Sequence, residues 1–372
     1  MARRKQKMIK GYPLRRTLAA MARSAFRVGS KALGQALKAA PATARTAKPK
    51  RSAIKLKREP AADGSWSIGN AIGVAGAYRL YRPAGIKRNE RLPLLVMLHG
   101  CLQDGEAIAA SSRMNRIAAS ERFLVLYPDQ DRLSNVQRCW NWYETRSGHA
   151  QLEATLIEAV INQVCRLHAV DHDCIALAGF SAGAAMAALL AIRQPERFLA
   201  IAMHSGIAPG VATSSATALS AMRGHIAPSP LAQVAAGTQF PALLVIHGGA
   251  DHIVAPSNGA EAALLWADRV GAVPSVPRII QRGGRHAMTI TDYRSGGDLI
   301  ATLCDVKGLG HAWSGGTKGL DYSDPKGPDA SRMIWTFVAK QLASACRRVE
   351  PTVVERPIFA VPALSADRSE LR

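Results

Sequence analysis

The sequence predicts an α/β domain: a mainly parallel sheet with helices on both faces. Two observations carry that reading. Leu92–Leu98 (LPLLVML) is a continuous apolar run, as expected of a strand buried on both faces. Shorter apolar runs alternate with helical stretches from about residue 64 onward. That alternation specifies parallel strands joined by crossover helices.

In chain order, residues 77–81 read as an early strand and 92–98 as the buried one, ending in His99-Gly100. Residues 106–121 have helical character, and 123–127 form a short apolar strand closed by Pro128. A helix over 151–168, a strand over 174–178, a helix over 183–193 and a strand over 199–203 follow. Residues 208–238 are rich in Ala, Ser and Pro without a clear period and read as an insertion over the sheet. The strand pattern resumes at 241–246 and the helical one at 260–270; a late strand at 300–306 precedes a final helix near 330–347. Ligands of such sheets sit at the carboxyl ends of the strands, so chemistry is sought in the loops after Leu98, Ala178, Ile246 and Val306.

The 372 residues, 48% of them hydrophobic, suffice to bury a large core without metals or cross-links. Charge divides the chain. Residues 1–60 hold 18 of the 48 Lys and Arg but one of the 27 acids, Glu59, so the net +21 belongs mostly to a basic arm. Within it, Leu14, Leu18, Met21, Ala25 and Val28 lie at helical spacing between Arg and Lys, and residues 40–57 read as a Pro-bearing linker. The expected organisation is therefore an arm at 1–60, a catalytic domain at 61–348 and a tail at 349–372. No apolar run is long enough for a membrane-spanning helix. Arg23 and Arg27 interrupt the apolar stretch around 17–26, which argues against a secretion signal there and weakens Arg15-Arg16 as a twin-arginine one. The six cysteines show no C-x-x-C or zinc spacing. Cys101 and Cys139 both fall on loops near strand ends and are candidates for a disulfide.

The strongest chemical signal is Gly179-Phe180-Ser181-Ala182-Gly183. A serine hydroxyl becomes a nucleophile when a base takes its proton and a sharp turn presents the oxygen above the strand ends. Here an apolar strand enters the motif and an Ala-rich helix leaves it, with glycines where strand and helix approach closely. Packing glycines around a buried serine would be the bland alternative. A tetrahedral intermediate needs two backbone N–H donors. Ala182 supplies one, and Cys101, on the loop after strand 92–98, is the favoured second. Among the ten histidines, His311 lies on a late glycine-flanked loop beyond a strand, whereas His286 sits among Arg282, Gly283, Gly284 and Arg285. Asp251 follows the turn His247-Gly248-Gly249-Ala250 and precedes His311, as the order Ser, Asp, His requires. Asp305 and Asp298 compete with it, the first within a strand and the second in a glycine-rich turn. Trp313, Trp140 and Trp142, with Tyr143, are candidates for shaping a substrate site, core packing being the alternative.

LHGCLQ at 98–103, YPDQ at 127–130, CWNWY at 139–143, GFSAG at 179–183, HGGAD at 247–251 and GHAWSGG at 310–316 fall in one order over roughly residues 65–345. Together they resemble the poly(3-hydroxybutyrate) depolymerase family of esterases, relatives of feruloyl and acetylxylan esterases. The resemblance implies an α/β-hydrolase fold, a triad of Ser181, Asp251 and His311, and Cys101 as an oxyanion donor. It implies no metal or organic cofactor. It also implies secretion, which the N-terminal segment does not echo, so location stays open between extracellular, cytoplasmic and granule-associated. Ser314 stands where the family loop usually carries proline, which would leave that loop less constrained.

The expected reaction is acyl transfer to water from 3-hydroxyalkanoate polyesters or oligomers, or from short-chain and aryl esters. An acyltransferase with the same triad and a catalytically idle scaffold are the alternatives. For the arm, a solvated tail, polyanion binding and contact with a membrane or polyester granule are the readings. Nothing in it reads bases, so sequence-specific nucleic-acid binding is not expected.

Overall fold

The computed structural model describes residues 64–71, 76–227 and 238–349. The arm expected at 1–60 and nearly all of the tail expected at 349–372 lie outside the described residues. The strands are β1 (Gly64–Asn70), β2 (Ala77–Pro83), β3 (Leu92–Leu98), β4 (Leu124–Pro128), β5 (Val170–Phe180), β6 (Ala200–His204), β7 (Ala242–Gly248), β8 (Val273–Pro274), β9 (Arg278–Ile280), β10 (Met288–Ser295) and β11 (Asp298–Val306). They form one sheet in the order β1-β2-β4-β3-β5-β6-β7-β11-β10-β8, with β9 also on β10. Its centre, from β4 through β11, is parallel, and antiparallel strands close both edges. This is the α/β-hydrolase arrangement.

Side-chain alternation divides the core. Leu94, Val96 and Leu98 of β3 pack on one face, with Ile157 and Ile161 of α3 (His149–Leu167), the alanines of α4 (Ala182–Arg193) and Trp266 of α6 (Ser257–Asp268). Leu95 and Met97 pack on the other, with α1 (Gly105–Ser112), α2 (Met114–Glu121) and α7 (Ala330–Val349). Successive strand residues point to opposite faces, which is why the continuous apolar run serves both cores.

Several elements depart from the sequence reading, among them the edge strands β1, β8 and β9, which it did not contain. The single helix expected at 106–121 breaks at Arg113, which takes the left-handed conformation at φ 56° while Ser112 Oγ accepts the Met114 amide. The region expected to be an unpatterned insertion contains α5 (Ser215–Met222), started by a reciprocal cap between Ser214 and Thr217; residues 228–237 lie outside the described residues. Strand β10 was not anticipated. It forms a hairpin with β11 through Gly296-Gly297, both at positive φ, and its alternating apolar and polar residues mark a strand with one face buried.

The topology fixes where a ligand can sit. From β3 the chain runs to β4 on one side, and the next parallel strand, β5, lies on the other. In sheets of this kind the connections diverge above such strand ends, which places the expected crevice between the loop after Leu98 and the turn after Phe180.

Candidate active site

Ser181 occupies the sharp turn between β5 and α4, with φ 55° and ψ −120°. Such a backbone is strained for a residue with a side chain and is held by its surroundings. The Ser181 amide donates to His204 O, and its carbonyl accepts the Ala184 amide. The close approach also explains both flanking glycines. A Cβ on Gly179 would lie 2.3 Å from Gly183 O, and one on Gly183 would lie 2.2 Å from Leu98 O.

β7 and β11 are parallel neighbours with Gly248 opposite Val306, so the loops leaving them start side by side. Their pairing continues past the strand ends: Gly249 N donates to Val306 O and Ala250 N to Leu309 O. The result brings Asp251 to His311, and His311 to Ser181. His311 Nδ1 lies 2.7 Å from Asp251 Oδ2, and Nε2 lies 2.9 Å from Ser181 Oγ. A carboxylate only accepts, so Nδ1 carries the ring proton and Nε2 is left to accept from the serine hydroxyl. Asp251 Oδ1 accepts the amides of Ile253 and Val254, each at 2.9 Å. Burial works to raise the Asp251 carboxyl, but His311, His247 and the Val254 amide outweigh it and hold the group below its ordinary value.

The loop after β3 sits beside this turn because Leu98 pairs with Gly179. Neither the Cys101 nor the Ala182 amide has an intramolecular acceptor among the described residues, which leaves both N–H groups available. Cys101 and Cys139 form a disulfide with a Cα separation of 4.2 Å, tying the loop to the segment after β4. Breaking it should lower stability by about 4 kcal/mol on a chain-entropy account of its 38-residue separation. Denaturant melts with and without a phosphine reductant check this; an unchanged midpoint after confirmed reduction refutes it.

Of the sequence candidates, His286 lies elsewhere, its Nε2 3.0 Å from Asp324. Asp305 is an exposed residue within β11, and Asp298 begins that strand. The tryptophans require correction as substrate contacts. Trp313 is 1% exposed, stacks on His204 and spends its indole N–H on Ser331 Oγ. Trp140 is buried against His99, with its N–H on the His99 carbonyl. Trp142 packs edge-on against Tyr143 within the core. They build the platform beneath the site. Proximity in sequence does not say which side of a loop a ring will take.

Glu153 and Tyr322, not singled out in the sequence, and Ser314 lie around that platform. Glu153 of α3 accepts from the Asn141 amide at 2.8 Å and from Gln130 Nε2 at 2.7 Å, and Asn141 Nδ2 reaches the same carboxylate. Tyr322 stands edge-on to His311, with ring centroids 6.3 Å apart. Ser314 is fully buried; its amide donates to His204 Nε2 at 3.0 Å and its hydroxyl to Pro328 O at 2.7 Å. The serine thus pins the loop by two hydrogen bonds, neither of which a proline could make.

His99, His204 and His247 are buried around the site, and burial pushes each imidazole down, His204 from 6.5 to about 3. Repulsion from His247 and His311 adds to the His204 shift. A folded-state value below the unfolded one means that unfolding takes up a proton in between. His204 therefore adds stability that is complete above about pH 6.5 and is lost as pH falls toward 3, and His99 and His247 act in the same direction. For His204 the slope should approach ~1.4 kcal/mol per pH unit between those two values. His204→Gln keeps an acceptor but cannot titrate, so it should remove one proton's share from the acid limb of stability against pH; an unaltered slope would contradict the assignment.

Comparison with known proteins agrees with this architecture. Over 238 residues the chain is 29% identical to poly(3-hydroxyalkanoate) depolymerase C of Paucimonas lemoignei, a match covering 62% of this chain and 56% of that protein. It is 26% identical over 207 residues to feruloyl esterase B of Thermothelomyces thermophilus, covering 52% and 69% of the two. An acetyl xylan esterase from Aspergillus awamori shares the fold, with a TM-score of 0.51 at 18% identity over 67% of this chain and 94% of that one. The family model described as esterase PHB depolymerase matches residues 76–271, more than half of the chain, which therefore belongs to that family.

Proposed function

We propose that this protein is a serine ester hydrolase in which Ser181 is the nucleophile, His311 the general base and Asp251 the residue that orients it. The hydrogen-bonded chain from Ser181 Oγ through His311 to Asp251 carries the reading. Ser181 Oγ attacks the ester carbonyl carbon as its proton passes to His311 Nε2, and Asp251 stabilises the imidazolium. The developing oxyanion takes the Ala182 and Cys101 amides, which are already fixed in place and need no reorganisation. Collapse expels the alcohol, protonated by His311. Water then repeats the sequence on the acyl-enzyme and releases the acid.

The relatives' names favour 3-hydroxyalkanoate polyesters or oligomers, with short-chain and aryl esters as the simpler substrates. Purified protein assayed on p-nitrophenyl esters of graded chain length, alongside polyhydroxybutyrate particles, tests both levels. Hydrolysis of the soluble esters supports the reaction class, and soluble products from the particles support the polymer. No turnover of either would refute the proposal. The basic arm gives the enzyme a means of holding a polyanion or a granule. Deleting residues 1–60 should leave soluble-ester turnover nearly unchanged. It should abolish any binding to anionic vesicles that weakens with salt. Loss of most soluble-ester activity in the truncated protein would show instead that the catalytic domain depends on the arm.

A further inference from the structure

Helix α7 packs against α2 and over β5, β6 and β7. Between this helix and the hairpin β10–β11 lies a cavity of about 590 Å³, within the range of small-molecule pockets. It runs along β10 from Met288 to Arg294, about 20 Å at the usual strand rise. Leu244, Met288, Ile290, Cys304 and Phe337 form an apolar floor, each of them buried. Around it stand Arg278, Arg282, Arg285, Arg294, Arg332 and Lys340, with only Asp292 and Asp329 of opposite charge.

Most of this charge is already engaged. Arg278 pairs with Asp292 at 2.8 Å and Arg332 with Glu121, while Arg285 and Arg294 donate to the carbonyls of Gly327 and Gly297. Arg282 and Lys340 are exposed, and their side chains have no hydrogen bond or ion pair among the described residues. An apolar trough beneath uncommitted cations suits a ligand with an apolar body and an anionic head. A polyanion would leave the floor unused, and a neutral lipid would leave the rim unused.

We propose that the groove between α7 and the β10–β11 hairpin binds the carboxylate of a medium- or long-chain acyl group. The site uses neither Ser181 nor the crevice above it, so it stands independently of the proposed reaction. Calorimetric titration of the full chain with decanoate, below its aggregation concentration, should show one saturable site. Decyltrimethylammonium, with the same tail and the opposite head, should bind about tenfold more weakly or not at all. The double variant R282E/K340E should weaken decanoate by about tenfold and erase the preference for the anion. Thr336→Trp, on the exposed groove-facing side of α7, should block both ligands. Thermal melts and soluble-ester turnover like those of the parent show that either variant is folded.

Equal affinity for the two head groups overturns the proposal, as does the absence of saturable binding. Decanoate binding untouched by both variants places the ligand elsewhere, the Ser181 crevice included, and equally overturns it. Binding that appears only after residues 350–372 are deleted would make those residues the occupant instead.

Discussion

Ser181→Ala should reduce turnover of soluble esters by about 10⁴-fold or more while leaving the fold in place. The size follows from what is lost. Without Oγ there is no acyl-enzyme, and only the Cys101 and Ala182 amides and substrate binding remain to help water attack directly. The variant keeps the backbone that forms the turn, because Ser181 N and O hold the bonds to His204 and Ala184. A melting temperature near that of the parent, together with residual activity at background, is the expected pair of results. Retention of more than about a tenth of the parent rate would remove Ser181 from the mechanism.

Asp251→Asn should cost about as much, near 10⁴-fold, by a different route. Asp251 Oδ1 accepts two backbone amides, from Ile253 and Val254. In the asparagine variant the amide oxygen must take that position, which turns the NH₂ group toward His311 Nδ1. Two donors then face each other. The imidazole escapes the conflict by moving its proton to Nε2, where it meets the Ser181 hydroxyl as a donor and can no longer accept from it. The defect lies in the tautomer, so substrate affinity should change little while kcat falls. His311→Ala should be comparably severe. His286→Ala should leave kcat near the parent value, because His286 is paired with Asp324 and has no hydrogen bond to Ser181, His311 or Asp251. A full-rate Asp251→Asn enzyme would exclude the aspartate from orienting His311.

The sequence made the fold class legible because burial and hydrogen bonding leave local traces. The run Leu92–Leu98 can satisfy both faces only inside a parallel sheet, and GFSAG needs its glycines because backbone approaches backbone there. That Ser181, Asp251 and His311 meet was readable by order and loop position, since parallel strands deliver their carboxyl ends to one side. Contacts made at a distance left no such trace. Glu153 reaches Gln130 and Asn141 across 23 and 12 residues, and nothing in the spacing of those three announces a network. Strand β10 did leave a trace, the alternation of a strand with one face buried, but it stands between glycine-bearing segments at 283–284 and 296–297 that read as turns. The tryptophans near the motifs left substrate contact and core packing both open, because nothing in the sequence shows that the indole N–H groups of Trp140 and Trp313 have partners inside.

The bond between Ser314 and His204 makes these two positions a unit of inheritance. With serine at 314, His204 Nε2 has its donor in the interior. A proline introduced there alone would strand a buried acceptor, at a cost of about 1–3 kcal/mol. An apolar residue introduced at 204 alone would strand the Ser314 amide instead. Each single step runs downhill in stability, yet the pair changed together removes donor and acceptor at once and avoids both penalties, leaving only the Ser314 hydroxyl bond to Pro328 O to be lost. A lineage moving between the two forms of this loop thus crosses a valley, and an engineer rebuilding it should alter both residues in one step.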